Sequence, residues 1–505
     1  MMKTEKRFSA LLPMWLFAAF CIIILTAPIA VANDPLVKVA ILHLNDLYEI
    51  TPSGDGAQGG LARVAALRKQ LLEQNPNTFM LLAGDLFSPS ALGTAIVDGD
   101  RLAGRQMVAV LNEIGLNYCT FGNHEFDLRE PQFLQRLKES KFTWFSSNVF
   151  SVDKKRFPGV AEHVILTVNP ESKRPVRIGM IGLTIDSNPV PYVHYADPIS
   201  AAREQVLAIR GQVDILIAVT HLRLEQDIRL AEAVPELDLI LGGHEHENVQ
   251  VWRGPDLTPI LKADANARTV YVHDLLFNTE SGELRIHSRL QPITSAIPED
   301  PKTAQVAQHW VDLAFAAFKK SGFNPQNVVA NVPMPLDGLE SSVRHQATNL
   351  TENILAGMLN TATGAELAIF NSGSIRIDDV LPPGNISEYD VIRILPFGGV
   401  VLSVEMKGSL LGKVLDQGWA NKGSGGFLHA ANVSLSEDRT LWMVNGNPLD
   451  TERMYQVAIN DFLLRGLEQG LEFLNRENKE LRVLRENADV RKSLIEQLKR
   501  AYAAK

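Results

Sequence analysis

The sequence predicts an α/β protein of two domains. From Pro35 to about residue 295, short apolar runs alternate with stretches of helical periodicity. A second α/β segment runs from about Asn327 to the end. A chain of 505 residues is longer than one hydrophobic core supports. Its composition, 46% hydrophobic and 21% charged, is that of an ordinary globular protein.

Residues 1–32 stand apart from this pattern. Lys3, Lys6 and Arg7 precede an apolar stretch from Leu11 to Ile29, and Ala30-Val31-Ala32 forms a small-residue cleavage site. The segment reads as a secretory signal peptide, and the expected location is periplasmic or extracellular. An uncleaved anchor is the alternative for so long an apolar stretch, but Pro13 and Pro28 interrupt it and favour cleavage. Phe20 stands where a lipidation box before Cys21 needs a small residue, so no stable membrane anchor is expected. The net charge is −9, and the basic leader makes the remainder more acidic still, which argues against polymeric nucleic acid as a partner. Cys119 is the one cysteine beyond the leader, so no intrachain disulfide is expected.

The first domain is expected over residues 33–296. Its strand-like runs are Val37–Leu42, Phe79–Leu82, Asn117–Thr120, Ile215–Val219 and Leu237–Leu241. Helices are expected over Gly60–Leu72, Leu102–Ile114, Pro131–Leu137 and Ser200–Ile209. A linker over 297–322 contains a helix from Thr303 to Lys320, which Gly322 and Pro325 end. The second domain is expected over 323–505. Its last part, from Glu472, reads as charged and helix-rich, with a closing helix near Asp489–Leu498.

Each of the five strand-like runs is followed by residues that ligate metals. They are Asn45-Asp46, Gly84-Asp85, Gly122-Asn123-His124-Glu125-Phe126-Asp127, Thr220-His221 and Gly242-Gly243-His244-Glu245-His246. Ligands collect at the carboxyl ends of strands in α/β sheets, so these side chains can converge. On an extended segment His244 and His246 would point to the same side. Oxygen and imidazole donors without thiolate suit Mn, Zn, Fe or Co and do not choose among them.

The order of these clusters resembles the calcineurin-like metallophosphoesterase superfamily, and within it the two-domain 5′-nucleotidase family. The resemblance covers nearly all of the chain after the leader, and its most specific parts are Gly122–Asp127 and Gly243–His246. It implies a sandwich of two mixed sheets flanked by helices, joined by a helix to a C-terminal α/β substrate-binding domain. It implies two divalent metal ions, the first held by Asp46 and His246 and the second by Asn123, His221 and His244. Asp85 would bridge them, since a carboxylate can span ions about 3.5–4 Å apart. The family reads Asp-x-His at the first cluster, whereas this chain has Asp46-Leu47-Tyr48. Tyr48 is then either a weaker oxygen ligand, or partner of a bound water, or a packed aromatic that leaves the first metal short of a ligand. His43 and Arg63 read as structural.

The resemblance also implies that His124 is catalytic and that Asp127 fixes its tautomer. Asn371-Ser372-Gly373-Ser374-Ile375-Arg376 resembles the family's Asn-Gly-Gly-Gly-x-Arg loop, so Asn371, Gly373 and Arg376 are expected at the substrate. Phe397 and Phe462 match two phenylalanines that sandwich a nucleobase; the alternative is that both are core residues. Glu468 stands near the acidic position of an otherwise eroded Gly-Gly-Asp-Gly-Phe segment. The implied activity is hydrolysis of nucleoside 5′-monophosphates, nucleotide sugars or 2′,3′-cyclic nucleotides by hydroxide formed from a metal-activated water. Two alternatives remain beside it: a dimetal hydrolase of a non-nucleotide ester, and a binding protein of the same fold with weakened turnover. The sequence does not specify oligomeric state.

Overall fold

The computed structural model describes residues 35–53, 56–169 and 174–503; the expected leader lies outside the described residues. The first part of the chain builds two mixed sheets. In the seven-stranded sheet, Leu36–Leu44 lies between Thr78–Ala83, parallel to it, and Thr269–Asn278, antiparallel to it. Tyr118–Thr120 continues the parallel side. In the six-stranded sheet, Val176–Thr184, Ile215–His221, Leu239–Gly242 and Thr258–Lys262 run parallel in that order.

The two-residue strand period decides what each face meets. Val39, Ile41, Leu81 and Ala83 of the first sheet meet Ile178, Met180, Ile217, Val219 and Leu241 of the second in a buried inner layer. The alternate residues Leu42, Leu44, Met80 and Leu82 pack outward with residues of the helices Leu61–Gln74 and Arg105–Ile114. Leu183, Leu216, Ala218 and Ile240 pack outward with residues of Pro198–Ile209 and Leu224–Ala233. Strands covered on both faces need apolar residues at every position, which is why they read as unbroken runs in the sequence.

The connecting helix is Pro301–Lys320. Asp300 caps it by accepting the Thr303 N–H at 2.9 Å, and Pro301 opens the first turn. The helix packs against Leu61–Gln74 and Arg105–Ile114, and its Phe315 ring lies 4.9 Å from that of Tyr389 in the C-terminal part. It therefore touches elements on both sides of the linker.

The C-terminal part holds a five-stranded sheet in the order Leu428–Ala431, Leu367–Asn371, Met454–Asn460, Val400–Lys407, Leu481–Asp489. Helix Gly408–Ala420 covers one face, and Asn349–Thr361 with Val490–Ala501 covers the other. The expectation of a helix-rich end needs correction. Residues Leu481–Asp489 form an edge strand against Val400–Lys407, and the one long helix that follows among the described residues is Val490–Ala501. Arg482, Arg485 and Glu486 gave the strand a helical charge density, but its backbone pairing with the sheet decides its form.

Ile217 is fully buried between the sheets. Ile217→Ala is expected to cost about 2–5 kcal/mol, the range for a truncated core side chain. The urea midpoint measures this; an unchanged midpoint would mean that the inter-sheet layer is not the core.

Candidate functional site

The five expected strands end on one side of the sandwich, and backbone geometry turns their last residues inward. Asp46, Asp85 and His244 adopt positive φ, at 51°, 58° and 81°, a region costly for side chains other than glycine. Glycines permit the close approach. A Cβ on Gly84 would lie 2.4 Å from the Gly122 nitrogen, and one on Gly122 would lie 2.1 Å from Asp85 Oδ1. The segment His244–His246 is not extended as the sequence suggested. Its first residue is left-handed, so the His244 ring lies beside His221 at 5.3 Å between centroids, while His246 turns toward Tyr48.

Ligating atoms of Asp46, Asp85 and His221 lie within 4.8 Å of one another, all buried. His221 Nδ1 bonds the Ala83 carbonyl at 2.8 Å, leaving Nε2 facing Asp85 Oδ2 at 3.2 Å without hydrogen-bond geometry. The Asn123 Oδ1 is buried without a partner. Tyr48 is buried, and its hydroxyl lies 3.1 Å from each of Asp46 Oδ1, Asp85 Oδ2 and His246 Nε2. One phenolic proton can serve only one of these three acceptors at a time.

The charges follow from this crowding. Burial alone would lower the His221 imidazole, but the Asp85 and Asp46 carboxylates outweigh it and hold it up to about 10. Burial likewise lowers His246, while Glu340, Asp378 and Asp46 raise it to about 9. Burial, with Asp85 and Asp46, keeps the Tyr48 hydroxyl protonated far above its ordinary range. The carboxylates thus draw positive charge onto the two imidazoles, and the phenol supplies none. A divalent cation would meet the same demand, and two buried ligand atoms face it: Asn123 Oδ1, which has no hydrogen-bond partner, and His221 Nε2, which has only its contact with Asp85. The residues present fit a metal centre.

His124 stands at its edge. The His124 Nδ1–H donates to Asp127 Oδ2 at 2.8 Å, and Asp127 is held by Ser88 Oγ at 2.7 Å and Asn188 Nδ2 at 2.6 Å. His124 Nε2 accepts from Arg376 Nη2 at 3.0 Å. A guanidinium can only donate, so this contact sets the Nδ1–H tautomer. Burial and the Arg376 charge lower the His124 pKa, Asp127 and Asp85 raise it, and the rise prevails.

Of the other expected residues, Asn371 is buried and its amide donates to Glu468 Oε2 at 2.8 Å, so the eroded segment does meet the loop. The Gly373 N–H donates to the Gly425 carbonyl at 2.7 Å. Phe397 is 45% exposed and Phe462 is half-buried, with no ring contact between them among the described residues. A 45% exposed Phe397 is not a core residue. His43 is buried, lowered to about 3 chiefly by burial, and bonded to the Gly242 carbonyl; it is structural, as expected. Arg63 donates to the carbonyls of Gly59 and Gly56, also a structural use.

Sequence reasoning missed several residues. Glu125 accepts the N–H groups of Asp85, Leu86, Phe87 and Gly122. It ties two ligand loops together; its place inside the longest cluster was the available signal. Burial and Asp85 push its carboxyl up to about 7, against backbone donors that favour the charged form. Lys262 is fully buried between Asp227 and Glu245 beneath the His244–His246 turn. From the C-terminal part, Asp378 Oδ2 lies 2.9 Å from His246 Nδ1, and Glu340 lies 3.5 Å from Arg376 Nη1. Neither follows a strand in a ligand-like cluster, so the sequence carried no sign of them.

Comparison with known proteins agrees with this geometry. The family model for the calcineurin-like phosphoesterase matches residues 39–248, and that for the 5′-nucleotidase C-terminal domain matches residues 328–475. The chain belongs to the two-domain 5′-nucleotidase family. Members are metal-dependent phosphoric ester hydrolases, and this one has their architecture of a metallophosphoesterase sandwich followed by a C-terminal 5′-nucleotidase domain. The chain is 27% identical to protein UshA of Yersinia enterocolitica, over 88% of this chain and 89% of that one. It is 24% identical to the human 5′-nucleotidase, over 85% and 83% of the two chains. The solved 5′-nucleotidase precursor from Thermus thermophilus superposes with a TM-score of 0.75 at 25% identity, covering 93% of this chain and 97% of that one.

Within this 5′-nucleotidase fold, Glu125 is the test of how the ligand loops are held. Glu125→Gln places an amide N–H₂ against buried backbone donors, and a loss of about 1–3 kcal/mol or more is expected. Denaturant unfolding measures it. Unchanged stability would show that the loops are held by other contacts.

Proposed function

We propose that the chain is an exported phosphoesterase that hydrolyses nucleoside 5′-monophosphates to nucleoside and phosphate at a centre of two divalent cations. Asp46, His246 and Asp85 would hold one, with Tyr48 as a weak oxygen donor; Asp85, Asn123, His221 and His244 would hold the other. The bound cations supply Lewis acidity, lowering the pKa of a water and neutralising phosphoryl charge. The observation that carries the reading is the meeting of His124, Arg376 and the Asp46–Asp85–His221 cluster at one place.

The protein's own groups do the rest. Asp127 fixes His124 so that Nε2 faces the centre, where it can bond a phosphoryl oxygen or deliver a proton to the leaving alkoxide. Arg376, now donating to that same nitrogen, can redirect its N–H groups to an anionic substrate. Both side chains stabilise charge that builds on the phosphoryl oxygens. An exposed Phe397 and a half-buried Phe462 are free to stack on a base. Export rests on the leader-like segment; among the described residues no helix is long and apolar enough to cross a membrane. The second reading, a hydrolase of a non-nucleotide ester, is favoured by the Asn371–Glu468 bond, which occupies two expected substrate residues.

Chelation followed by dialysis is expected to abolish phosphate release from AMP, and added Mn or Co to restore it. Turnover that survives chelation would exclude the metal centre. His124→Ala is expected to lower kcat by about 10²–10⁴-fold with bound metal unchanged by elemental analysis. Loss of metal in that variant would make His124 a ligand instead. Replacing Phe397 or Phe462 with Ala is expected to raise KM for nucleotides by ~5–100-fold, from a stacking worth of about 1–3 kcal/mol. p-Nitrophenyl phosphate should be nearly unaffected. Equal losses on both substrates would remove the base clamp and favour the second reading.

A further inference from the structure

His246 is gripped from both sides of the molecule. Its Nε2 faces Tyr48 Oη at 3.1 Å and Asp46 Oδ1 at 3.6 Å, at the centre. Its Nδ1 lies 2.9 Å from Asp378 Oδ2, which belongs to the C-terminal domain. A carboxylate only accepts, so Nδ1 carries a proton, and in the neutral ring Nε2 would present its lone pair to a cation at the centre.

Asp378 is itself tightly placed. It is 5% exposed and has a φ of 39°, an unusual conformation for this residue type. Its Oδ1 accepts the Glu340 N–H at 2.9 Å. Its carbonyl accepts from Arg268 Nη1 at 3.3 Å, and Nη2 of the same arginine donates to the His246 carbonyl at 3.1 Å. Arg268 thus clamps the backbone of both partners in the His246–Asp378 pair. Two residues earlier, Arg376 reaches His124. One three-residue stretch of the C-terminal domain therefore holds a side chain on each of two site histidines of the other domain. A second tie, from Tyr389 Oη to Glu49 Oε2 at 3.4 Å, lies next to Tyr48 in sequence.

We propose that Asp378 is a positioning residue for the metal centre: from the C-terminal domain it fixes the tautomer and orientation of His246, so that cation affinity at the Asp46–His246 position depends on the docking of residues 376–378. The inference rests on the two-cation reading above. Carboxylate partners of ligating histidines orient the ring and raise its donor strength, and their loss costs about 10–100-fold in metal affinity. The effect matters more here than where a second histidine shares the load, because Tyr48 offers a neutral phenol oxygen in its place. Segment 376–378 also carries Arg376, so an anion that draws Arg376 away from His124 acts on the same stretch that holds His246. Substrate and cation at this position are then linked, and the linkage is reciprocal.

The experiment is calorimetric titration of the metal-stripped full-length chain with Mn(II), and with Co(II) for its visible absorption. The proteins compared are the unmodified chain, Asp378→Asn, Asp378→Glu and Asp379→Asn. Asp379 is the control: its carboxylate lies 3.8 Å from Arg393 rather than on His246. The unmodified chain and Asp379→Asn are expected to bind two cations. In Asp378→Asn one of the two sites should weaken by about 10–100-fold, with an altered cobalt spectrum. Asp378→Glu should recover part of the affinity. Should Asp378→Asn fail to fold by circular dichroism, Asp378→Glu carries the test, because the longer side chain must move the ring. Unmodified affinity and cobalt spectrum in the folded Asp378 variants would overturn the role of Asp378 and leave the metal centre standing. Absence of cation binding by the unmodified chain would instead overturn the two-cation reading.

Discussion

Asp46 and Asp85 are buried carboxylates within reach of the same phenol and the same imidazole, and the surrounding structure answers to their charge. Two like charges in a buried site cannot be left with one shared proton. The imidazoles of His221 and His246 are drawn toward their charged forms, and the backbone N–H groups of His244 and His124 turn onto the two carboxylates at 2.9 and 2.8 Å. The left-handed conformations of Asp46, Asp85 and His244 are the conformational cost of that convergence. A fold that covers both faces of each sheet supplies the rigidity to sustain it.

The buried polar groups around the centre follow the same logic. Glu125 gathers four N–H groups of two loops, and Lys262 pairs with Asp227 and Glu245 under a third. Neither faces the centre as a donor. Each lets a loop approach its neighbours without leaving donors or charges unpaired in the interior. The candidate ligand loops are thus held by buried hydrogen bonds and ion pairs as well as by apolar packing.

The contact between the domains gives the site its second character. Arg376, Asp378 and Glu340 arrive from the C-terminal domain, and Arg268 reaches back from the other to hold them. The histidine proposed to act on a phosphate is engaged by the arginine proposed to bind one. The side chains that would receive a substrate are therefore already paired with one another, and an incoming anion competes with a hydrogen bond rather than with water. The connecting helix Pro301–Lys320 packs along the first domain and touches Tyr389 in the second, so the joint between the domains is itself part of the core.

The candidate ligands were legible in the sequence because each of them follows a strand that both faces of a sandwich make apolar. Asp46, Asp85, Asn123, His221, His244 and His246 are marked by the run that precedes them, and His124 and Asp127 by their place in the longest cluster. The strands and the alternation of the first domain follow from local pattern in the same way. What the sequence left open is what depends on approach from a distance. Tyr48 is one such residue, its hydroxyl lying 3.1 Å from side chains of three segments. The strand Leu481–Asp489 is set by an edge that pairs with it and not by its own charges. Asp378 meets His246 across 132 residues of chain, where no periodicity or spacing reaches, and only the packing of the two domains brings the pair together.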